Sequence, residues 1–241
     1  MILPQSLEQL DISYTVVNPS ALPLFKINNL TYLDISYSDS ALTMTFLKLR
    51  LKTFIFAGTR YEFALHQLNH LQNNNLKTVI FKEASLNDGI RHHGYRLFKD
   101  LRSIELLDIS ENNIWYFPDE LLNRMSNLSN LYISKKLLSS IPVQLNGNTS
   151  IKILDFKNNI LTSVNSTITN WADRMQQLHG MTFKLDGNAF ECNCDTIDCI
   201  RLIHNTKVDL DSRSYNCKLS NGTVIDTLIA YNYLHDLFAD S

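Results

Sequence analysis

A pattern of apolar residues eleven positions long recurs along this chain, and a chain that repeats itself folds as a stack of similar units instead of around one centre. The fullest copy reads Ile104-x-x-Leu107-x-Ile109-x-x-Asn112-x-Ile114, with a second at Ile151, Leu154, Phe156, Asn159 and Leu161. Three copies keep the apolar spacing and relax the asparagine: Leu7, Leu10, Ile12, Thr15; Leu30, Leu33, Ile35, Ser38; and Leu128, Leu131, Ile133, Lys136, Leu138. Two others put aromatics where leucines stood, at Leu51, Phe54, Phe56, Thr59 and at Leu76, Val79, Phe81, Ala84. The last, Phe183, Leu185, Asn188 and Phe190, runs into a group of cysteines. Copies begin at Leu7, Leu30, Leu51, Leu76, Ile104, Leu128, Ile151 and Gly180.

The template is that of the leucine-rich repeat, whose period is roughly 20 to 29 residues. Its L-x-L part alternates with period two, so apolar side chains point one way from a short strand and the intervening ones point the other. No single unit buries its apolar face, so units stack. The fold expected is an α/β leucine-rich-repeat solenoid, a horseshoe arc with a parallel concave sheet. About eight repeats occupy residues 1–190, and a disulfide-containing C-terminal cap occupies 191–241. The asparagine amide is suited to bonding backbone groups of the turn that leaves the strand. Thr and Ser do part of that work, and Ala84 and Lys136 cannot, so irregularity is expected there. The repeats from Leu51 and Leu76 should depart most from regular geometry. On the convex side the spacing predicts helices over 60–73 and 169–178, and an extended loop or short helix over 87–98.

The strand positions between the leucines form the candidate binding surface. Its central row reads Asp11, Asp34, Ile55, Ile80, Asp108, Tyr132, Asp155 and Lys184, a mixed acidic and apolar strip suited to a protein or microbial ligand. With 24 acidic against 22 basic residues and a net charge of -2, there is no clustered basic surplus and no direct nucleic-acid signal. Catalysis has no motif to stand on, and no cofactor is implied: nucleophile elbow, phosphate loop, dinucleotide fingerprint and zinc-protease helix are all missing. Zinc lacks the usual paired ligands, and His92-His93 reads as a solvated loop pair.

All four cysteines, Cys192, Cys194, Cys199 and Cys217, follow the last repeat, where a solenoid needs a cover over its open core. The run Gly187-Asn188-Ala189-Phe190-Glu191-Cys192-Asn193-Cys194 resembles the N-x-F-x-C-x-C opening of the C-terminal cap of Toll-like receptor ectodomains. Residues 195–203 resemble its cap helix, and Tyr215-Asn216-Cys217 its third cysteine. Other cell-surface repeat proteins carry similar caps. The resemblance implies a Cys192–Cys217 bridge. It also implies a partner for Cys194 near the end of the chain, where residues 221–241 hold no cysteine. A Cys194–Cys199 bridge, free thiols and a lost partner all remain open.

The resemblance further implies a ligand-recognition and dimerisation portion of an innate immune receptor, a second receptor chain being a possible partner. The alternatives are an extracellular adhesion or structural repeat protein, or a nonfunctional remnant. No stretch approaches the roughly 20 apolar residues of a membrane-spanning helix. Membrane attachment is therefore expected only through a parent receptor's own spanning segment. The first residues lack the features of a secretion signal, so the chain is expected to start inside a longer architecture. Sequons at Asn29, Asn127, Asn148, Asn165 and Asn221 are candidate glycosylation sites. Together with the cysteines they point to an extracellular or cell-surface setting.

Overall fold

The computed structural model describes residues 3–17, 22, 24–38, 50–58, 75–86, 90, 98, 101–115, 117, 122, 125–135 and 137–239, apart from the side chains of 25, 194 and 234–239. Each repeat contributes one three-residue strand: β1 Gln9–Asp11, β2 Tyr32–Asp34, β3 Thr53–Ile55, β4 Thr78–Ile80, β5 Leu106–Asp108, β6 Asn130–Tyr132, β7 Ile153–Asp155 and β8 Thr182–Lys184. Every strand pairs in parallel with its sequence neighbour, and the middle residues from Leu10 through Phe183 share one register row.

Strands this short are held by what lies beneath them. Leu33, Phe54, Val79, Leu107, Leu131, Leu154 and Phe183 are completely buried, as are Ile35, Phe81, Ile109, Ile133, Phe156 and Leu185 in the next layer. Each such side chain contributes about 1.5–3 kcal/mol through its removal from water. The two aromatic repeats do not disturb the sheet. Phe81 meets Phe54 and Phe56 edge to face, with ring centroids 5.8 and 6.4 Å apart, and these rings fill the layer that leucines fill elsewhere. Contrary to the expectation from their degenerate sequence, both keep strand register; most of their convex excursions, including 60–73 and His92-His93, lie outside the described residues.

A second ladder follows the strands. Tyr14, Tyr37, Gly58, Glu83, Glu111, Lys135, Asn158 and Gly187 each stand one place before the asparagine position, and all have φ between 51° and 74°. A left-handed residue other than glycine costs about 1–2 kcal/mol. Here the amides repay it: Tyr14 N donates to Ser36 O at 2.9 Å, Glu83 N to Ser110 O at 2.9 Å and Lys135 N to Lys157 O at 2.9 Å, so each turn is tied to the next repeat.

The asparagine ladder lies just inside. Asn112 is buried; its Nδ2 donates to Phe81 O, Ile109 O and Ser110 O, and its Oδ1 accepts from Leu86 N at 3.2 Å and Ala84 N at 2.7 Å. In the later repeats Asn159 accepts from Leu138 N and Asn188 from Leu161 N. The irregularity expected at Ala84 takes this form: Ser85 is also left-handed (φ 51°), between the two amides that Asn112 accepts from. Lys136, the other position of this kind, lies outside the described residues.

On the convex side α1 (Ser166–His179) covers the predicted 169–178 segment and begins earlier because Asn165 caps it, accepting from Thr167 N. Ile168, Trp171, Ala172 and Met175 face inward, and Trp171 Nε1 donates to Asn148 O at 2.7 Å. In the cap, β9 (Phe190–Glu191) precedes α2 (Ile197–Asn205). Next, β10 (Asp209–Leu210) joins β8 as a ninth parallel strand of the main sheet. β11 (Asn216–Lys218) then pairs with β9 and with β12 (Val224–Asp226), and α3 (Thr227–Ala239) follows. The cap is thus both a cover and a last strand. Asp211 closes the join: Oδ1 accepts from Leu185 N and from the Tyr215 hydroxyl, and Oδ2 accepts from Asp186 N.

Candidate concave binding face

Because the middle residue of each strand points into the core, the residues on either side of it point to the open face. Register pairs Asp11 with Asp34, Asp34 with Ile55, Ile55 with Ile80, Ile80 with Asp108, Asp108 with Tyr132, Tyr132 with Asp155 and Asp155 with Lys184. The row read from the sequence is therefore one physical row across eight repeats. Beside it runs a second, Gln9, Tyr32, Thr53, Thr78, Leu106, Asn130, Ile153 and Thr182, which the same alternation would have supplied had the first strand position been followed as well.

The aspartates serve the backbone too. Oδ1 of Asp11, Asp34, Asp108 and Asp155 accepts from the amide two residues on, at 2.9, 2.9, 2.8 and 3.1 Å. Each closes an Asx turn at the strand exit, just ahead of the left-handed residue. The Asp11 carboxyl is held below the ordinary value by these bonds from Ser13, chiefly its hydroxyl.

Electrostatics divide the face in two. At the C-terminal end Asp155 is buried, Lys184 Nζ lies 3.5 Å from its Oδ2, and the same ammonium sits 5.9 Å from the Tyr132 ring centroid. Three of the candidate residues are thereby brought together and largely satisfy one another. Along the lateral rim Lys82 and Lys135 reach Glu111 at 3.1 and 3.2 Å; burial opposes its ionisation, but the two ammonium groups outweigh that and hold the carboxyl low. At the N-terminal end Glu8, Asp11 and Asp34 have no ion-pair partner among the described residues. Tyr32 beside them has its hydroxyl pKa raised, first by burial and then by the charges of Asp34 and Asp11. Between these ends lies the apolar stretch Ile55, Ile80 and Leu106, each half-buried. On the rim Tyr14 and Tyr37 stack with centroids 4.6 Å apart, a pair the repeat pattern did not single out.

The cap holds the Cys192–Cys217 bridge that the resemblance implied. Cys199 is free and buried, which removes the alternative of a Cys194–Cys199 bridge. Burial pushes its thiol up to about 12, so it is a protonated core residue of α2 and not a nucleophile. Cys194 stands in the 3₁₀ turn Cys194–Thr196. Among the described residues no three His, Cys, Asp or Glu side chains are grouped to hold a metal ion, and no helix is long and apolar enough to cross a membrane.

The five sequons differ in environment. Asn29, Asn127, Asn165 and Asn221 are exposed. Asn148 is half-buried, with Nδ2 donating to Met125 O at 3.1 Å and Oδ1 accepting from Ser150 N and Ile151 N.

A parallel sheet built one strand per repeat, an internal asparagine ladder and a disulfide-bearing cap define a leucine-rich-repeat solenoid. Comparisons agree on that class. Nephrocan of Mus musculus is 27% identical over 122 residues, a match that spans 42% of this chain and 23% of that protein. Among solved structures, human 5T4 (Wnt-activated inhibitory factor 1, trophoblast glycoprotein) superposes with a TM-score of 0.66 at 16% identity, covering 87% of this chain and 79% of that one. TLR13, solved in complex with the RNA ssRNA13, superposes with a TM-score of 0.65 at 20% identity, covering 86% of this chain and 30% of that one. No family model matches the chain.

Proposed function

We propose that this chain is a non-catalytic recognition module of the Toll-like receptor type, an extracellular or cell-surface segment that binds a protein or microbial ligand and pairs with a second receptor chain. The observation that carries it is the register of the concave row, which gathers Asp11, Asp34, Ile55, Ile80, Asp108 and Tyr132 onto one open face. Apolar residues at the centre with carboxylates around them suit a protein partner presenting an apolar anchor and basic flanks. Phosphates would meet Asp11, Asp34 and Asp108 instead of a cationic surface, so RNA, the ligand in the TLR13 complex, is disfavoured. A second reading is an adhesive or structural extracellular repeat protein, which the fold shared with 5T4, a glycoprotein by name, equally allows.

The test is a binding screen of the secreted chain against displayed extracellular proteins and a single-stranded RNA, followed by sedimentation of any complex. Ile80→Asp should weaken a protein partner by about thirtyfold or more, as expected for a central anchor. Pairing of two chains only in the presence of ligand favours the receptor reading, and constitutive binding by a monomer favours adhesion. RNA binding untouched by Ile80→Asp would refute concave-face protein recognition.

A further inference from the structure

Between the first turns of α1 and the outer face of α2 lies an open cleft of about 340 Å³ whose walls carry Thr169, Asn170, Asp173, Arg201, Asn205 and Thr206. Its chemistry is unlike that of the concave face. Amides, hydroxyls, the carboxylates of Asp173 and Asp198 and one guanidinium converge there, a set that hydrogen-bonds sugar hydroxyls and acetamido groups. Part of the wall is fixed in place: the Thr206 hydroxyl donates to Asp173 Oδ1, and Arg201 pairs with Asp198 at 3.6 Å.

Asn165 stands one residue ahead of Ser166, which also lines this cleft. It heads the sequon Asn165-Ser166-Thr167, is exposed, and caps α1 through Oδ1, which accepts from Thr167 N at 2.7 Å. The capping bond uses the oxygen and orients the amide while Nδ2 is left for attachment. At Asn148 the opposite holds, because Nδ2 is itself committed to Met125 O inside the solenoid.

We infer that Asn165 carries an N-linked glycan whose first sugars lie in the α1–α2 cleft, bridging the last repeat to the cap, and that Asn148 is left bare. The inference rests on the extracellular reading above. The donor class is a lipid-linked oligosaccharide diphosphate: its C1–O bond breaks, the lipid diphosphate leaves, Nδ2 bonds to C1 and gives up one proton. The seated sugars would hydrogen-bond Asn170 and Arg201 on the rim, adding to the Thr206–Asp173 bond that already joins the two sides of the cleft.

The experiment is site-by-site glycopeptide mapping of the full chain secreted from eukaryotic cells, followed by timed release from the folded protein with peptide-N-glycosidase. Glycan is expected at Asn165, with Asn29 and Asn127 as exposed references, and release at Asn165 should be slower than at Asn127. Two net hydrogen bonds to the cleft correspond to roughly tenfold protection. Combined Asn170→Ala and Arg201→Ala, both exposed, should abolish the protection and leave occupancy unchanged. Thr167→Ala should remove the glycan and keep the cap, which uses only the backbone of residue 167. Glycan at Asn29 and Asn127 with a bare Asn165, or equal release rates at Asn165 and Asn127, overturns the inference and leaves the extracellular reading standing. Bare asparagines at every sequon overturn that reading as well.

Discussion

Removing the Asn112 side chain tests whether the internal ladder or the apolar layers set the stability of the middle repeats. Asn112→Ala strips the acceptor from two backbone amides, Ala84 N and Leu86 N, and removes the Nδ2 donor shared by Phe81 O, Ile109 O and Ser110 O. The carboxamide is buried, so water cannot replace it without opening the coil. An unsatisfied buried amide costs about 1–3 kcal/mol, and carbonyls tolerate the loss better because each has a second lone pair. Two amides together therefore predict a loss of about 3–4 kcal/mol, a large share of the roughly 5–15 kcal/mol that holds a domain folded. For comparison, Ser38→Ala removes a hydroxyl that donates to Ile35 O at 2.7 Å at the same place in an earlier repeat; the loss of that bond should cost about 1 kcal/mol.

Urea unfolding of the disulfide-intact chain gives the two differences directly, provided the slope with denaturant is unchanged. Native-state hydrogen exchange adds the location: Ala84 and Leu86 amides should lose protection first in Asn112→Ala, with Leu154 and Phe183 amides little affected, because coupling in a solenoid runs between neighbours. Equal losses in the two variants, or below about 1 kcal/mol for Asn112→Ala, would refute the ladder argument and assign the stability to the leucine layers alone.

Further outcomes follow from other contacts. Gly58→Ala drives a Cβ into the Tyr37 ring at φ 61°; the left-handed backbone alone costs about 1–2 kcal/mol, and near-ultraviolet dichroism should also show the Tyr14–Tyr37 stack displaced. His204 Nε2 is buried with no hydrogen-bond partner among the described residues, against the Tyr231 ring (centroids 5.2 Å) and near Asp226 and Arg213. Burial is the main cause that lowers its pKa from the ordinary 6.5, so the unfolded chain binds the proton first. Cap stability should therefore fall as pH drops below 6.5 towards the folded-state value, a slope that His204→Phe should flatten in pH-dependent melts. Replacing both Cys192 and Cys217 by serine opens a link spanning 25 residues and should cost about 3 kcal/mol, seen first as faster exchange in α2 and β11.

What could be read from the sequence is what repeats. Eight strands, their register and the concave row follow from one alternation, because a slip by one residue would bring Asp34 or Asp108 into the core. The left-handed ladder was hidden because its occupants, tyrosine, glycine, glutamate, lysine and asparagine, share no side-chain property; the conformation is imposed by the bond to the next repeat. The strand β10 was hidden for a related reason. It offers only Val208 and Leu210 without the rest of the template, and joins the sheet because the cap brings it to the edge of β8. Cys199 could not be assigned from spacing, since its fate depends on the burial of one face of α2.

The double use of the concave aspartates links fold to recognition. Each of Asp11, Asp34, Asp108 and Asp155 has one oxygen fixed by its own turn, so its rotamer is set before any partner arrives. A side chain already fixed loses little entropy on binding, where an unrestrained one gives up about 0.5–1.5 kcal/mol. Asp155 then turns its other oxygen to Lys184, while Asp11 and Asp34 have no ion-pair partner among the described residues. The turn that makes the solenoid also holds a pair of carboxylates in fixed positions, with no ion-pair partner among the described residues. A partner's basic side chains should therefore lie over Asp11 and Asp34, with its apolar anchor against Ile55 and Ile80. Exchanging Asp34 for asparagine keeps the turn bond and removes the charge, so a loss of affinity without a loss of stability would separate the two uses.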